Sequence, residues 1–192
     1  MIVRIQGREV LYVDIEASSL GEGSFPIEVG WCVDDDVAPE SFLVASAACW
    51  NTAIGWSAIS QRLHGISLED LRRDGIAARS AVIRIEAAFG RRMVVSDNPA
   101  FDDYWLSMIY EAACLPKTWT LHSLDEVHAF CIAANPIAAI DLVRVFASVD
   151  RAYPHPHRAG PDALRMAKRA RALADPVFRE ARLAGDDGRH PR

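Results

Sequence analysis

The chain has 192 residues, of which 51% are hydrophobic and 24% are charged, and its formal net charge is −5. This composition is typical of a folded domain of roughly 100–200 residues, and it excludes a collagen, a disordered chain and a small disulfide scaffold. No apolar run approaches the ~18 residues needed to span a bilayer, and the N-terminus lacks the apolar core of a signal peptide. We therefore expect a cytoplasmic protein with no membrane partner.

The cysteines and the charge distribution carry little functional information. Cys32, Cys49, Cys114 and Cys131 lack CxxC or zinc-finger spacing, so we interpret them as buried, reduced thiols. Residues 151–192 carry ten Lys and Arg against five Asp and Glu, whereas the rest of the chain is acidic. On charge alone, a solvated helix with an Arg-rich tail is favoured over a surface that binds a polyanion.

Strand patterns come first in the chain. The β-branched and aromatic run 10–16, the alternating segment 27–33 and segment 41–45 predict three strands joined as hairpins, with a glycine-rich turn over 18–26. Two further short strands are predicted at 92–96 and 119–121.

Helical patterns dominate the remainder. We predict helices over 67–73, 77–89, 100–113, 124–133, 137–149 and 161–173, and a last short one after Asp175-Pro176. The order of elements predicts a three-layer α/β/α domain around one mixed five-stranded sheet. We place this single domain at residues 1–185 and expect 186–192 to be a disordered tail.

Asp14 and Glu16 are the most informative pair of residues. They are two apart on a predicted strand, so both side chains leave the same face, while Leu11, Val13 and Ile15 face the core. Adjacent, poorly hydrated carboxylates repel each other, and Mg²⁺ or Mn²⁺ would relieve that repulsion. The alternative is a pair that points to solvent from an edge strand.

A histidine and a carboxylate recur near residue 160. Pro161 suits the first position of a helix, which places Asp162 in the first turn and His157 in the loop before it. His155 is a rival for any role given to His157. We expect the side chain of His155, between two prolines, to be carried away from the site.

Asp102 is the third element of the pattern. The segment from Ser96 to Asp102 runs from a strand through a turn into a helix, so this carboxylate faces the end of the sheet where sites gather in such folds. Asp97 and Asp103 compete with it. Asp103 is rotated by about 100° from Asp102 on the helix and is expected to point elsewhere.

These residues form three ordered motifs, DxExxxL, NxxFD and HxAxxD. They stand as Asp14-Ile-Glu16-Ala-Ser-Ser-Leu20, Asn98-Pro-Ala-Phe101-Asp102 and His157-Arg-Ala159-Gly-Pro-Asp162, with His64-Gly65-Ile66 between the first two. Over roughly residues 8–172 the chain resembles the DEDDh family of 3′–5′ exonucleases, which includes ribonuclease T, oligoribonuclease and polymerase proofreading subunits. One departure is Ser19, which stands where many members have glycine.

The resemblance implies a ribonuclease H-like fold and a metal-dependent 3′–5′ exonuclease that releases nucleoside 5′-monophosphates. It implies two divalent ions, Mg²⁺ or Mn²⁺, and a histidine general base, His157. The implied metal ligands are Asp14, Glu16, Asp102 and Asp162.

The resemblance also implies a substrate of single-stranded RNA or DNA, or short oligonucleotides, and a homodimer. The implied substrate-binding residues are Ser18, Leu20, Phe25, His64, Asn98, Phe101 and Arg158. Leu20 would wedge beside the last base, and Phe25 is the preferred stacking residue, because Phe101 and Trp105 share a helix face and are expected in the core. The expected phosphate contacts are Arg158, Arg165, Lys168 and Arg169.

Two other functions remain open at this point. One is a catalytically idle nucleic-acid-binding or adaptor domain on the same fold, which would neither bind two Mn²⁺ ions nor degrade oligonucleotides. The other is a small phosphodiesterase that acts on dinucleotides, which a ladder of substrate lengths would distinguish.

Overall fold

The computed structural model describes residues 1–185, and the predicted tail, residues 186–192, lies outside the described residues. Six strands form a mixed sheet within this part of the chain. The strands are β1 (Arg4–Ile5), β2 (Arg8–Ala17), β3 (Pro26–Cys32), β4 (Glu40–Leu43), β5 (Met93–Ser96) and β6 (His122–Ser123). The helices are α1 (Thr52–Gly55), α2 (Ala58–His64), α3 (Leu68–Asp74), α4 (Ala78–Phe89), α5 (Pro99–Ala112), α6 (Leu124–Ala134), α7 (Ala139–Ala152), α8 (Ala159–Ala174) and α9 (Pro176–Ala184).

The sheet has the strand order β4-β3-β2-β5-β6, with the short β1 beside β2. Strands β2, β3 and β4 form an antiparallel meander, whereas β5 and β6 run parallel to β2. This confirms the predicted α/β architecture with a five-stranded mixed path. Strand β1, which pairs with β2 in an antiparallel hairpin, was not predicted.

Strand β2 is buried on both faces, which makes it a near-continuous apolar run. Leu11, Val13 and Ile15 pack in one core cluster with side chains of α4 and α5. Val10 and Tyr12 pack in a second cluster with side chains of α6 and α8. The two clusters are the two interfaces between the sheet and the helical layers of the predicted three-layer structure. Because alternate residues of a strand share a face, Asp14 and Glu16 lie on the same face of β2 as Tyr12, which is the face that packs against α8.

Some predicted boundaries were wrong. The last strand is β6 at His122–Ser123 and not 119–121, because the Trp119 indole is engaged with Tyr110 and Glu86 while the ladder begins opposite Val95. Helices α1 and α2 occupy a segment for which no helix was predicted.

The start of α8 also differs from the prediction. The helix begins at Ala159 and not at Pro161, so Pro161 occupies its third position. The two additional residues are accommodated because the amide of Ala159 donates to a buried carboxylate of β3, Glu28, at 3.0 Å. Asp162 still lies in the first turn.

The four cysteines are unpaired, as predicted, but only Cys32 and Cys131 are buried. Cys49 and Cys114 are exposed, so the expectation of burial was wrong for these two. Among residues 1–185, no helix combines the length and the apolarity needed to cross a membrane.

Candidate active site

A cleft of about 260 Å³ opens at the carboxyl end of strand β2. In open α/β sheets this end of the parallel strands is where ligands bind. Its wall contains residues from all three predicted motifs and, with His64, from helix α2. The lining includes Asp14, Glu16, Leu20, Leu63, His64, Asp97, Asn98, Asp102, Trp105, His155 and His157.

The carboxylates of the cleft form two groups that share Asp14. One group joins Asp14 to Glu16 and Asp162, and the other joins it to Asp97 and Asp102. Within each group the ligand oxygens lie within 4.8 Å of one another. Sequence reasoning treated Asp97 as a competitor of Asp102, whereas the structure brings both to Asp14.

Burial and mutual repulsion perturb these acids. Burial, reinforced by the charges of Asp102 and Glu16, raises the pKa of Asp14 well above its ordinary value. Burial, followed by the charge of Asp162, raises the pKa of Glu16 to about 7. Burial likewise raises the pKa of Asp102 to about 8, although a hydrogen bond from Ser96 opposes the shift. Such crowded acids are a marker of a functional site.

Asp102 is held in place by the strand that precedes its helix. The Ser96 hydroxyl at the end of β5 donates to Asp102 and accepts from the backbone amide of Asn98 at 2.9 Å. Asp103 points away, as predicted, and its carboxylate contacts the Lys117 ammonium at 2.7 Å. The turn between β5 and α5 therefore presents Asp102 to Asp14 and excludes Asp103.

Asp162 lies buried beside Asp14 and Glu16, with one oxygen that accepts no hydrogen bond. Its side chain is 1% exposed, and its Oδ2 atom accepts from the Arg158 backbone amide at 3.0 Å. Its Oδ1 atom is buried and accepts no hydrogen bond from a described residue, although Nδ1 of His155 lies 2.6 Å away. A buried carboxylate oxygen without a donor is costly. Together with the two carboxylate groups, it fits a site for hard divalent cations.

Glu28 holds the start of α8 against strand β3 through hydrogen bonds. Its carboxylate, 1% exposed, accepts from Nε and Nη2 of Arg158 at 2.9 and 2.8 Å, from the Ala159 amide at 3.0 Å and from the Ser41 hydroxyl at 3.1 Å. Sequence reasoning missed this residue. The available signal was a single carboxylate in an otherwise apolar strand, which must find partners when it is buried.

Both histidines of the loop before α8 line the cleft. The rings of His155 and His157 lie 4.1 Å apart between centroids. The expectation that the His155 side chain is carried away from the site was wrong. His157 adopts φ of +54°, so the chain reverses there and returns the His155 ring to Asp162.

His64 lies at the base of the cleft as a buried, neutral side chain. Its Nδ1 atom accepts from the Ile66 amide at 3.0 Å, and burial lowers its pKa to about 4. In a neutral imidazole whose Nδ1 accepts, the proton is on Nε2. That Nε2 is buried and makes no hydrogen bond to a described residue. The structure therefore brings His64 to the cleft as a hydrogen-bond donor without a protein acceptor.

Ser18 and Phe25 are structural. The buried Ser18 hydroxyl donates to the Gly55 carbonyl at 2.7 Å and accepts from the Phe25 amide at 2.9 Å. Phe25 is fully buried and stacks on Trp50. The expectation that Phe25 stacks on a base was wrong, because these hydrogen bonds fold the glycine-rich loop inward, and Ser18 is likewise withdrawn from the cleft.

Leu20 and Phe101 are exposed apolar side chains near the cleft, as is Leu63 of helix α2. Leu20 is 78% exposed and lines the cleft. Phe101 is 44% exposed, so its expected place in the core was wrong, whereas its neighbour Trp105 is buried. The two rings of helix α5 contact each other at 5.5 Å.

Most of the expected phosphate contacts are engaged within the protein. Arg158 pairs with Glu28, and Arg169 pairs with Asp150. Lys168 is buried, and its ammonium lies 2.9 Å from Asp35. These internal ion pairs contradict the assignment of Lys168 as a phosphate contact. The excess of cations after residue 150 therefore does not form a free basic surface at these positions.

Comparison with known proteins places this geometry in a known fold. No family model and no curated protein matches the chain. Solved structures do: zinc-bound exonuclease I of E. coli with single-stranded DNA aligns with a TM-score of 0.61 and 16% identity, over 90% of this chain and 42% of that chain. The fold is that of exonuclease I.

Two further structures agree with this result. Exonuclease I of E. coli with a dA16 oligonucleotide aligns with a TM-score of 0.61 and 17% identity, over 90% of this chain and 42% of the other. A product-bound exonuclease I aligns with a TM-score of 0.57 and 16% identity, over 90% of this chain and 45% of the other. This chain spans less than half the length of these structures, and at these identities the likeness establishes the fold.

Proposed function

We propose that residues 1–185 form a single metal-dependent exonuclease domain that degrades single-stranded or short nucleic acid from the 3′ end to nucleoside 5′-monophosphates. The observation that carries the proposal is the pair of carboxylate groups that share Asp14 at the end of β2. The fold shared with exonuclease I supports it.

The acidic residues of the site and His157 would have different roles in the reaction. Asp14, Glu16, Asp102 and Asp162 would hold two divalent ions, Mg²⁺ or Mn²⁺. When bound, such ions supply the positive charge that stabilises the attacking and leaving oxygens of an in-line displacement. His157, at the rim of the cleft, would accept the proton of the attacking water.

Other side chains would hold the terminal nucleotide. The Nε2 proton of His64 lacks a protein acceptor and is available to an oxygen of the substrate. Leu20 on the rim would pack against the last base, and Asn98 and Phe101 lie at the start of α5 beside Asp102. Arg158, although paired with Glu28, is partly exposed and is retained as a contact to the substrate.

The charge of the cleft favours a limited substrate footprint. Among the described residues, no Lys or Arg lines the cavity, so the ions would provide the charge that meets the scissile phosphate. Long duplexes are held mainly by many basic contacts to phosphates. We therefore infer single strands or short oligonucleotides as substrates.

The proposal is tested by digestion of 5′-labelled RNA and DNA oligomers, from two to twenty nucleotides long, with Mg²⁺ or Mn²⁺. We expect a ladder of products shortened from the 3′ end, and none with Asp14→Asn. Cleavage of dinucleotides alone would favour the phosphodiesterase. Binding without cleavage would favour the idle domain. Gel filtration of the same protein tests the proposed homodimer.

A further inference from the structure

We propose that Asp97 is a ligand of the second cation, which would be held by Asp14, Asp97 and Asp102. This inference rests on the proposed function and deepens it. It adds a fifth carboxylate to the four that the sequence motifs assign to the metals. The expected ligand is a hard divalent cation, with Mn²⁺ as the probe.

Position and reach support this role. Asp97 directly follows Ser96, the last residue of β5, and its carboxylate lies within 4.8 Å of a carboxylate oxygen of both Asp14 and Asp102. Hydrogen bonds from Ser96 to Asp102 and from Asn98 to Ser96 hold the turn that carries it.

The neighbouring aspartate shows what a carboxylate without this role does. Asp103 forms an ion pair with Lys117 at 2.7 Å. Asp97, by contrast, is exposed and forms no ion pair or hydrogen bond through its side chain with any residue from 1 to 185, and its carboxylate lies within 4.8 Å of carboxylate oxygens of Asp14 and Asp102. Within the protein its placement is therefore repulsive, and a cation in the cleft would reverse that.

An independent observation indicates that the carboxylate cluster faces a cation. Asp162, on the other side of Asp14, is 1% exposed, and one of its carboxylate oxygens lies within 4.8 Å of oxygens of Asp14 and Glu16. Its Oδ1 atom accepts no hydrogen bond from a described residue, and Nδ1 of His155, 2.6 Å away, approaches it outside hydrogen-bond geometry. A buried oxygen of this kind needs a positive partner. Since Asp14 is common to both groups, a cation beside Asp162 places Asp97 and Asp102 around the adjacent position.

The consequence of the fifth carboxylate is the affinity of the second site. Affinity for such cations rises with the number of charged ligands. With Asp97 each group has three carboxylates, so the two ions are expected to bind with comparable affinity. Without Asp97 the second group has two, one of them shared with the first ion, and we expect its affinity to fall about ten- to hundredfold.

The test is a Mn²⁺ titration followed by the electron paramagnetic resonance signal of the free ion. The four proteins are the wild type, Asp97→Asn, Asp103→Asn and Asp14→Asn. Asp103→Asn is the matched control, since it removes the same charge only six residues from Asp97 in the chain. Thermal unfolding in the presence of a chelator checks that each variant is folded.

We expect two Mn²⁺ ions for the wild type and for Asp103→Asn. For Asp97→Asn we expect one ion with unchanged affinity and one weakened about ten- to hundredfold. If Asp97→Asn titrates as the wild type does while Asp14→Asn loses binding, the role of Asp97 is wrong and the proposed function stands. If the wild type binds no Mn²⁺, both are wrong.

Discussion

Glu28 and Arg158 connect the middle of strand β3 to the residue that precedes helix α8, although 130 residues separate them in the chain. Two hydrogen bonds, of 2.9 and 2.8 Å, join the guanidinium to the carboxylate. The same carboxylate accepts from the Ala159 amide. The loop with His157 and the first turn with Asp162 are therefore placed by a strand on which neither residue lies.

Replacement of Glu28 by glutamine should destabilise the protein. The change removes the charge that both Arg158 and the α8 amide require, and we expect a loss of about 1–3 kcal/mol in the free energy of unfolding. Urea denaturation measures it. Glu40→Gln is the control, because its contact with Arg84 is exposed and 4.0 Å long, and it should change stability by less than about 0.5 kcal/mol. Equal effects of the two variants would contradict this account.

Gly30 allows the backbone of α8 to approach strand β3. A Cβ atom there would lie 2.2 Å from the Gly160 nitrogen, and neither backbone can give way easily. We expect Gly30→Ala to cost about 1–3 kcal/mol or to prevent folding. Gly21→Ala, whose Cβ would meet nothing nearer than 3.9 Å, should be nearly neutral. Calorimetry of both variants compares them, and a wild-type melting temperature for Gly30→Ala would show that α8 is not so tightly seated.

The metal-free protein should lose stability as the pH rises from 6.5 to 8. Glu16 and Asp102 have pKa values raised to about 7 and about 8, and the pKa of Asp14 is also raised. Across this window the folded state binds more protons than the unfolded state, so stability falls with pH. His64 and His128, whose pKa values are lowered to about 4, act mainly below pH 6.5.

The measurement is the melting temperature in a chelator at several pH values. The amino terminus, with its pKa raised to about 10, adds to the decline in the same direction as the pH approaches 8, so the comparison with Asp14→Asn isolates the contribution of the acids. Asp14→Asn should flatten the decline, because it removes one acid and the repulsion it exerts on the others. A melting temperature that rises between pH 6.5 and 8 would contradict the raised pKa values.

Replacement of His157 and replacement of His155 should affect turnover and Mn²⁺ affinity differently. His157→Ala should lower turnover by about 10²–10⁴-fold if it is the general base. His155 contacts Asp162 in the absence of ions and would compete with a cation for that oxygen, so His155→Ala should keep or raise the apparent affinity for Mn²⁺. Turnover and Mn²⁺ titration of both variants decide the matter. A larger loss of turnover in His155→Ala would exchange the two roles.

A free 3′ end should be required. The proposed reaction begins at a terminal nucleotide bound beside Asp14 in the cleft. We expect circular single strands and 3′-phosphorylated oligomers to resist digestion, while their linear 3′-hydroxyl counterparts are shortened. Efficient cleavage of the circles would indicate an endonuclease.

Sequence patterns alone predicted the order and type of most elements and the face of β2 that carries Asp14 and Glu16. Strand alternation and helix capping depend on neighbouring residues only, so they can be predicted without knowledge of the fold. Ser67 and Ser123, for example, both cap helices at the predicted positions. Spacing also excluded Asp103 from the site, since a rotation of about 100° on a helix is a local property.

The contacts between distant segments, in contrast, could be known only from the folded structure. Phe25, expected at the substrate, is buried under Trp50, and Lys168, expected at a phosphate, pairs with Asp35. The partners, Trp50 and Asp35, are distant in the chain, and the sequence around each of them does not indicate the contact. The same holds for Asp97, whose approach to Asp14 depends on the parallel pairing of β5 with β2. Long-range pairing sets such distances, and local patterns contain no information about them.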